Sequence, residues 1–232
     1  MNPQFQTRRL FLVGTAGLTL TACSLPDLKD IVGPPPPLQL YVLRPALPQA
    51  GAAPVPWQLA VALPETTASL DTVRIAQNPT GSTMDYYANA SWTDRVPVLM
   101  QARLIEAFEN TRRVPVTRDT AGLAADYLLF TEIRDFQARY EGGGAPPAAA
   151  AADGVPAPIT PAPGPPPRVI VQIEAKLMAV RGRRIAATLN ASTQANAQAN
   201  TVESVVVAFN DAVATALTQI VNWTLQQPAP PA

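Results

Sequence analysis

Residues 85–110, DYYANASWTDRVPVLMQARLIEAFEN, join an aromatic extended segment directly to an amphipathic helix. The large apolar residues of the second half recur at steps of three and four positions: Val96, Leu99, Met100, Leu104 and Phe108. This spacing places them on one side of a helix over about residues 95–110, and such a stripe has to be buried against a second layer. We therefore expect the rest of the domain to supply a sheet on which this helix packs.

Two features mark where this helix begins. Thr93 or Asp94 is expected to cap it, because a short side-chain oxygen at that position accepts a hydrogen bond from a free N–H of the first turn. Pro97 falls in the first turn, where its missing N–H costs little.

The composition bounds both the architecture and the chemistry. With 26 prolines in 232 residues, the chain is expected to form one domain with unpacked proline-rich segments. It has no histidine and one cysteine, which excludes histidine acid–base catalysis, Cys–His dyads, structural zinc and internal disulfides. There is no nucleophile motif or phosphate loop, and a formal net charge of zero disfavours nucleic acid as a partner. These observations predict a protein that is not an enzyme and that uses no cofactor or metal.

The N-terminal segment predicts export and a lipid anchor. Residues 1–22 combine two arginines with an apolar run that is too short to span a bilayer, which is typical of a signal peptide. They end in Leu-Thr-Ala before Cys23, a pattern that resembles the bacterial lipobox, so Cys23 is predicted to carry acyl chains such as palmitate. The arginine pair also resembles a twin-arginine motif, and the export route stays open. Ser24 favours the outer over the inner membrane by resemblance to sorting rules, and residues 23–37 form a lipidated N-terminus with a stiff proline-rich spacer.

Alternating apolar residues predict the first strands of the domain, which extends over residues 38–226. Leu38, Leu40 and Val42 alternate in the first strand, and the same pattern continues in a second strand at residues 57–63. A Pro- and Gly-containing turn at residues 78–81 then joins two further short strands.

A long strand is predicted over residues 125–140. Ile133 and Phe136 differ in parity within it, so burying both requires a bulge or a change of face. Its charged residues are expected to form one solvated face: Glu132, Arg134, Asp135 and Arg139.

The remaining segments complete the predicted domain. Residues 141–167 are almost all Gly, Ala and Pro and are expected to form a disordered insertion. The alternating runs at 169–177 and 185–191 predict a hairpin. Residues 202–225 predict a second amphipathic helix with Asn200 and Glu203 as its capping pair, and residues 227–232 a disordered tail. The expected fold is α/β (α+β), a single domain whose mixed, mostly antiparallel sheet is covered by two amphipathic helices, at about 95–110 and 202–225.

The order of these segments resembles one known family. YVLRP at 41–45, LDTVRIA at 70–76, residues 85–110, IRDFQARY at 133–140 and a closing helix that ends in VNWTL are similar to the ABC-type transport auxiliary lipoproteins. These are companions of MCE-domain, ABC-driven lipid transport systems in Gram-negative bacteria and include the paraquat-inducible protein C group. The resemblance implies a small α/β domain with an accessory role. It also implies an MCE-domain protein and the ABC permease and ATPase of the same system as partners.

Five residues at the start of the central segment are candidates for partner binding: Tyr86, Tyr87, Trp92, Asp94 and Arg95. Tyrosine and tryptophan are favoured at interfaces but also form cores, so both interpretations stay open for the aromatic residues. For the charged pair, a helix cap followed by a solvated charge is the alternative to an interaction pair. A basic cluster at a hairpin tip either touches anionic headgroups or is a set of ordinary exposed charges: Arg181, Arg183 and Arg184.

The predicted function follows from the anchor, the resemblance and the missing catalytic residues. We expect a non-catalytic, membrane-anchored auxiliary lipoprotein that docks or stabilises the periplasmic conduit of an MCE-type lipid transport system at the membrane. Its domain is expected to face the periplasm, and homo-oligomerisation stays open. The alternative is a stand-alone envelope lipoprotein that acts in assembly or ligand binding.

Overall fold

The computed structural model describes residues 37–51, 53–141 and 164–230. The predictions for the signal peptide, for Cys23 and for nearly all of the spacer therefore lie outside the described residues. The same holds for residues 142–163 of the predicted insertion and for the last two residues of the tail.

Nine strands and two long helices make up the described part of the chain. The strands are β1 (Gln39–Tyr41), β2 (Leu59–Val61), β3 (Glu65–Thr66), β4 (Arg74–Asn78), β5 (Asp85–Trp92), β6 (Val116–Arg118), β7 (Tyr127–Arg139), β8 (Arg168–Ala179) and β9 (Arg184–Asn196). The helices are α1 (Val96–Thr111) and α2 (Val202–Leu225), with short 3₁₀ turns at Asp119–Ala121 and Arg181–Arg183. Both predicted helices are present within one residue of their expected bounds.

Strand β7 is the centre of one mixed sheet. Along one edge it pairs with β8, which in turn pairs with β9, and both of these long pairings are antiparallel. Along the other edge β7 is parallel to β2 and β3 in its first half and to β4 at its end. Short pairings then add β5 and β1 beyond β4, and β6 beyond β2. The predicted α+β fold, with a mixed sheet and two helices, is confirmed.

Helix α2 is the main cover of the sheet. Its length and apolar composition alone would suit a membrane span. Twelve of its side chains are buried, however, and it packs along β8 and β9. Helix α1 buries Met100, Leu104 and Phe108 completely, so its stripe is a core face as predicted, although Leu99 is only partly buried.

The N-terminus of α2 is capped differently from the prediction. The Thr201 side chain accepts a hydrogen bond from the Ser204 N–H at 3.3 Å. Asn200 accepts a hydrogen bond from the Tyr140 hydroxyl instead, so the predicted pair of Asn200 and Glu203 is wrong.

Strand β1 presents the opposite face from the one predicted. Leu38 and Leu40 are 61% and 62% exposed, whereas Leu43 is buried. Tyr41 and Leu43 face the inside because α2 lies there, and the Tyr41 hydroxyl donates to a Glu203 carboxylate oxygen at 2.8 Å. Alternation alone gives the two faces of a strand without saying which one the neighbouring helix will cover.

The predicted bulge in β7 is confirmed. The pairing with β8 shifts register between Ile133 and Asp135, and both Ile133 and Phe136 are 1% exposed. Arg134 is the extra residue, and its Nη2 contacts a Glu174 carboxylate oxygen at 2.6 Å. The shift also buries Asp135, so the expectation of one solvated charged face is wrong for this residue.

The buried Asp135 is expected to make folding stability depend on pH. Burial raises the pKa of its carboxyl above the ordinary 3.8, against the opposing effect of Arg139, whose Nη2 lies 3.1 Å from Oδ2. A carboxyl with a raised folded-state pKa stabilises the fold when protonated, and this contribution is lost as the pH rises through that pKa.

Asp135→Asn should therefore gain stability relative to the parent as the pH rises from the ordinary pKa of 3.8 through the raised pKa of the folded protein. Denaturant titration of both proteins from about pH 3.5 to about pH 7 gives the two free energies of unfolding. A difference between them that does not vary with pH would contradict the prediction.

Candidate partner-binding surface

Trp92 lies in the centre of the core. Its side chain is 1% exposed and meets the rings of Phe136 and Phe209 edge-on, at centroid distances of 6.1 and 5.3 Å. The two phenylalanines stack on each other at 4.8 Å. The sequence leaves both an interface role and a core role open for Trp92, and the structure shows that Trp92 is a core residue.

Tyr87 is also buried, and its hydroxyl belongs to a chain of hydrogen bonds. The Tyr140 hydroxyl donates its single proton to Asn200 Oδ1 at 2.8 Å. The Tyr87 hydroxyl lies 3.0 Å from the Tyr140 hydroxyl and is therefore the donor in the bond between the two tyrosines. Burial raises the pKa of both tyrosines, which keeps the phenols neutral donors. The chain ties β5 and the end of β7 to the segment that leads into α2.

Tyr86 is the aromatic residue of β5 that reaches the surface. Its hydroxyl donates to the Ser69 carbonyl at 2.9 Å, and the Arg74 guanidinium carbon lies 3.9 Å from its ring centroid. The register of β5 explains the separation from Tyr87, since successive side chains point to opposite faces of a strand. Asn89 has a φ of 53°, which breaks the alternation and lets Ala90 and Trp92 share the buried face with Tyr87.

Asp94 and Arg95, the charged pair before α1, form neither an interaction pair with each other nor a helix cap followed by a solvated charge. Arg95 Nη1 lies 2.9 Å from both carboxylate oxygens of Asp71, so its ionic partner is Asp71. Asp94 accepts a hydrogen bond from the backbone N–H of Arg95 and caps nothing in the first turn. The helix begins after Arg95 without a side-chain cap, because the Thr72 carbonyl accepts the Val96 N–H at 3.2 Å. The predicted caps, Thr93 and Asp94, are therefore wrong.

The loop of residues 67–73 gathers these exposed groups into one area. The Thr67 carbonyl accepts the N–H groups of Leu70 and Asp71, both at 2.9 Å, which closes the loop beside the start of α1. An open groove of about 290 Å³ lies next to the ion pair and is lined by Leu63, Pro64, Glu65, Thr66, Asp71, Arg95 and Pro97. We call this area the loop surface, and its members are the exposed residues Leu63, Asp71, Arg74 and Arg95 with the partly buried Tyr86.

Sequence reasoning found two members of the loop surface, Tyr86 and Arg95, and missed the other three. Asp71 and Arg74 lie in the LDTVRIA segment, but only the β4–β5 pairing brings that segment to Tyr86 and to the helix start. Leu63 was predicted to be inside β2, yet that strand ends at Val61 and Leu63 is 45% exposed. No local pattern marks these residues as neighbours.

The chemistry of the loop surface suits binding. It combines an apolar side chain and an exposed ion pair at an open groove with an aromatic ring that lies under a guanidinium, and such a mixture is typical of a protein contact. Within the described ranges there is no group of three or more His, Cys, Asp and Glu side chains that could hold a metal.

Comparisons with known proteins agree with the sequence pattern. The family model for the ABC-type transport auxiliary lipoprotein component matches residues 39–152, which confirms the resemblance predicted from the sequence. An uncharacterized protein from Bradyrhizobium diazoefficiens is 28% identical over 170 residues, or 72% of this chain and 39% of that protein. The chain thus spans about two fifths of the length of this curated relative.

Solved structures share the fold. A Xanthomonas campestris protein of the DUF330 family superposes with a TM-score of 0.68 at 24% identity, covering 81% of this chain and 94% of that one. A second crystal structure, of an uncharacterized protein, gives a TM-score of 0.58 at 12% identity, covering 80% of this chain and 97% of that one. At these identities the similarity establishes the fold alone.

Proposed function

Because the chain carries the pattern of the ABC-type transport auxiliary lipoprotein component over residues 39–152, we propose that it is a non-catalytic auxiliary lipoprotein of an MCE-type, ABC-driven lipid transport system. Its role is to dock or stabilise the periplasmic conduit at the membrane. The family match is the observation that carries this proposal. An MCE-domain protein and the ABC permease and ATPase are the proposed partners, and Cys23 the proposed anchor, with Ser24 favouring the outer membrane.

The charged side chains near the loop surface support a role in binding. Arg95 and Asp71 are committed to each other, and Arg74 lies over the Tyr86 ring. Groups engaged in this way hold segments of the surface in a fixed arrangement that a partner can recognise. We propose that the loop surface is the contact for the conduit protein, with Asp94 at its margin.

Copurification tests the proposed function directly. The tagged full chain is expressed with its neighbouring genes, extracted in mild detergent and captured, and its companions are identified by mass spectrometry. We expect an MCE-domain protein with the permease and ATPase. Recovery of no such subunit, together with turnover of a lipid or peptidoglycan substrate by the purified protein, would overturn the proposal in favour of an enzyme.

Tyr86→Ala is expected to weaken the complex with the conduit protein. A buried interface anchor typically contributes about 2 kcal/mol or more, which corresponds to a loss of affinity of roughly 30-fold. Phe130→Ala is the matched control, because Phe130 is also a partly exposed aromatic residue of the sheet, at 38% exposure, but lies on β7 and does not line the groove of the loop surface. Titration of the immobilised domain with the partner measures both affinities. Equal affinities would place the contact elsewhere.

Arg95→Ala should weaken the same complex while leaving the fold nearly unchanged. Its side chain is 48% exposed, and ion pairs of this kind contribute at most about 1 kcal/mol to folding. Thermal unfolding serves as the folding check beside the binding titration. A marked fall in the melting temperature would show that the Asp71 contact is mainly structural.

A further inference from the structure

The tip of the β8–β9 hairpin is an exposed projection that the loop surface does not include. Every residue from 180 to 186 is exposed. The chain reverses there through two residues in the left-handed region, Gly182 with φ 74° and Arg183 with φ 47°. Ile185, predicted to continue the buried alternation of β9, is 55% exposed, because a register shift between Leu177 and Met178 breaks the pattern.

The tip carries three arginines that have no ionic partner among the described residues. Arg181, Arg183 and Arg184 are all exposed, and none of them forms an ion pair with any residue in the described ranges. The carboxylate that lines the neighbouring cavity, Asp126, accepts the Gln58 backbone N–H at 2.8 Å. The tip therefore carries positive charge that no ion pair within the described part of the domain compensates.

Large apolar side chains stand beside these arginines. Val180 is 42% exposed and Leu123 is 68% exposed, and both line an open cavity of about 490 Å³ together with Arg181. The Val180 N–H donates to the Asp126 carbonyl at 2.9 Å, which fixes the loop of Leu123 against the hairpin. Exposing apolar side chains to water in such a group is unfavourable, which indicates a surface that is covered in use.

We propose that this hairpin tip, residues 180–185 with Leu123, is a contact site for an anionic lipid surface. The arginines pair with phosphate groups, while Val180, Ile185 and Leu123 enter the apolar boundary just below the headgroups. An acidic protein would also satisfy the charge, but it would leave three projecting apolar side chains to be matched by a pocket. A lipid surface accepts both kinds of group without a preformed partner. The inference rests on the proposed location in the cell envelope and is independent of the identity of the conduit protein.

Vesicle cosedimentation tests the site. The probe is full-length Cys23→Ser protein with vesicles of phosphatidylcholine alone or mixed with phosphatidylglycerol. Residues 1–36 are the same in every variant and contribute the same background. A basic residue near an anionic surface contributes about fivefold in binding, so R181Q/R183Q/R184Q should bind the anionic vesicles roughly 100-fold more weakly than the parent. The difference should shrink at about 1 M salt, where screening acts over only about 3 Å.

Two further variants make the result specific. R44Q/R112Q/R118Q removes the same charge from exposed positions outside the hairpin and should keep most of the binding. V180S/I185S keeps every arginine but removes the apolar side chains that insert. It should bind the anionic vesicles more weakly than the parent, and this difference should persist at high salt.

The outcomes separate this inference from the proposed function. Equal binding by the parent and the triple tip variant, or an equal loss in the control triple variant, overturns the membrane contact. If the tip variant binds vesicles normally but no longer captures the transport subunits in detergent, the tip docks protein and the lipid proposal is wrong. Vesicle binding that depends on the tip, without any transport subunit in the copurification, would support the lipid contact and count against the proposed function.

Discussion

Trp92→Ala is expected to lower the free energy of unfolding by about 3–5 kcal/mol, the usual cost of removing a fully buried large aromatic side chain. The indole is 1% exposed and touches two rings, Phe136 of β7 and Phe209 of α2. Its removal leaves a cavity where β5, the central strand and the longest helix meet. Close packing allows only partial collapse around such a cavity, so the variant loses the transfer free energy of the indole and in addition carries the free-energy cost of the cavity.

Denaturant titration of the two proteins measures this effect. Trp92→Phe is the graded control and should lose much less, because a ring stays in place and because the indole Nε1 has no hydrogen-bond partner among the described residues. Phe130→Ala, on the open face of β7, should change stability by less than about 1 kcal/mol. A small effect of Trp92→Ala would contradict the core assignment and restore Trp92 as a surface residue.

This prediction also decides how partner-binding data on Trp92 are interpreted. A loss of binding in Trp92→Ala would follow from a loosened fold, whereas a loss in Tyr86→Ala would report on the loop surface. Tyr86 is partly exposed and can contact a partner, whereas Trp92 is buried. The two variants belong in the same binding experiment, each beside its own unfolding curve.

The strongest periodic signals predicted the fold correctly. Helix α2 has the predicted bounds, and the alternating run at 169–177 is the buried face of β8. The parity of Ile133 and Phe136 predicted a bulge or a change of face in β7 if both were buried, and the register shift shows the bulge. These features are local, and the sequence carries them within a single element.

What the sequence did not predict depends on contacts between elements. The face of β1 is chosen by α2, which is more than 150 residues away along the chain, as the Tyr41 to Glu203 hydrogen bond shows. The cap of α1 is a backbone carbonyl, that of Thr72, and a carbonyl has no sequence signature. In the same way, Asp71 becomes the partner of Arg95 only through the loop of residues 67–73.

The candidate site was half predictable for the same reason. The segment DYYANASWTDR contributes Tyr86 and Arg95 to the loop surface, but strand alternation and the positive φ of Asn89 divide it between core and surface. Tyr86 and Tyr87 are adjacent and chemically identical, and they nevertheless point to opposite sides of the sheet. Composition cannot make this distinction, whereas the register of β5 against β4 does.

Cys23→Ser is expected to abolish acylation and to release the protein from the membrane once the signal segment is removed. Acyl chains contribute about 0.8 kcal/mol per buried methylene, and one chain binds only marginally while two or more anchor stably. The described domain has no second element able to replace them, because the one helix of sufficient length and apolarity, α2, packs twelve side chains into the core. The hairpin tip gives only a reversible, salt-sensitive contact.

Membrane fractionation after a high-salt wash measures the release, and intact-mass analysis measures the acylation. The Cys23→Ser change could also prevent cleavage, so a second version places the same substitution behind a signal peptide that an ordinary signal peptidase removes. We expect this version in the soluble periplasmic fraction, with the melting temperature of the parent, since Cys23 lies 14 residues before the first residue described. If it still sediments with membranes after the wash, the domain holds the membrane by itself and Cys23 is not the principal anchor.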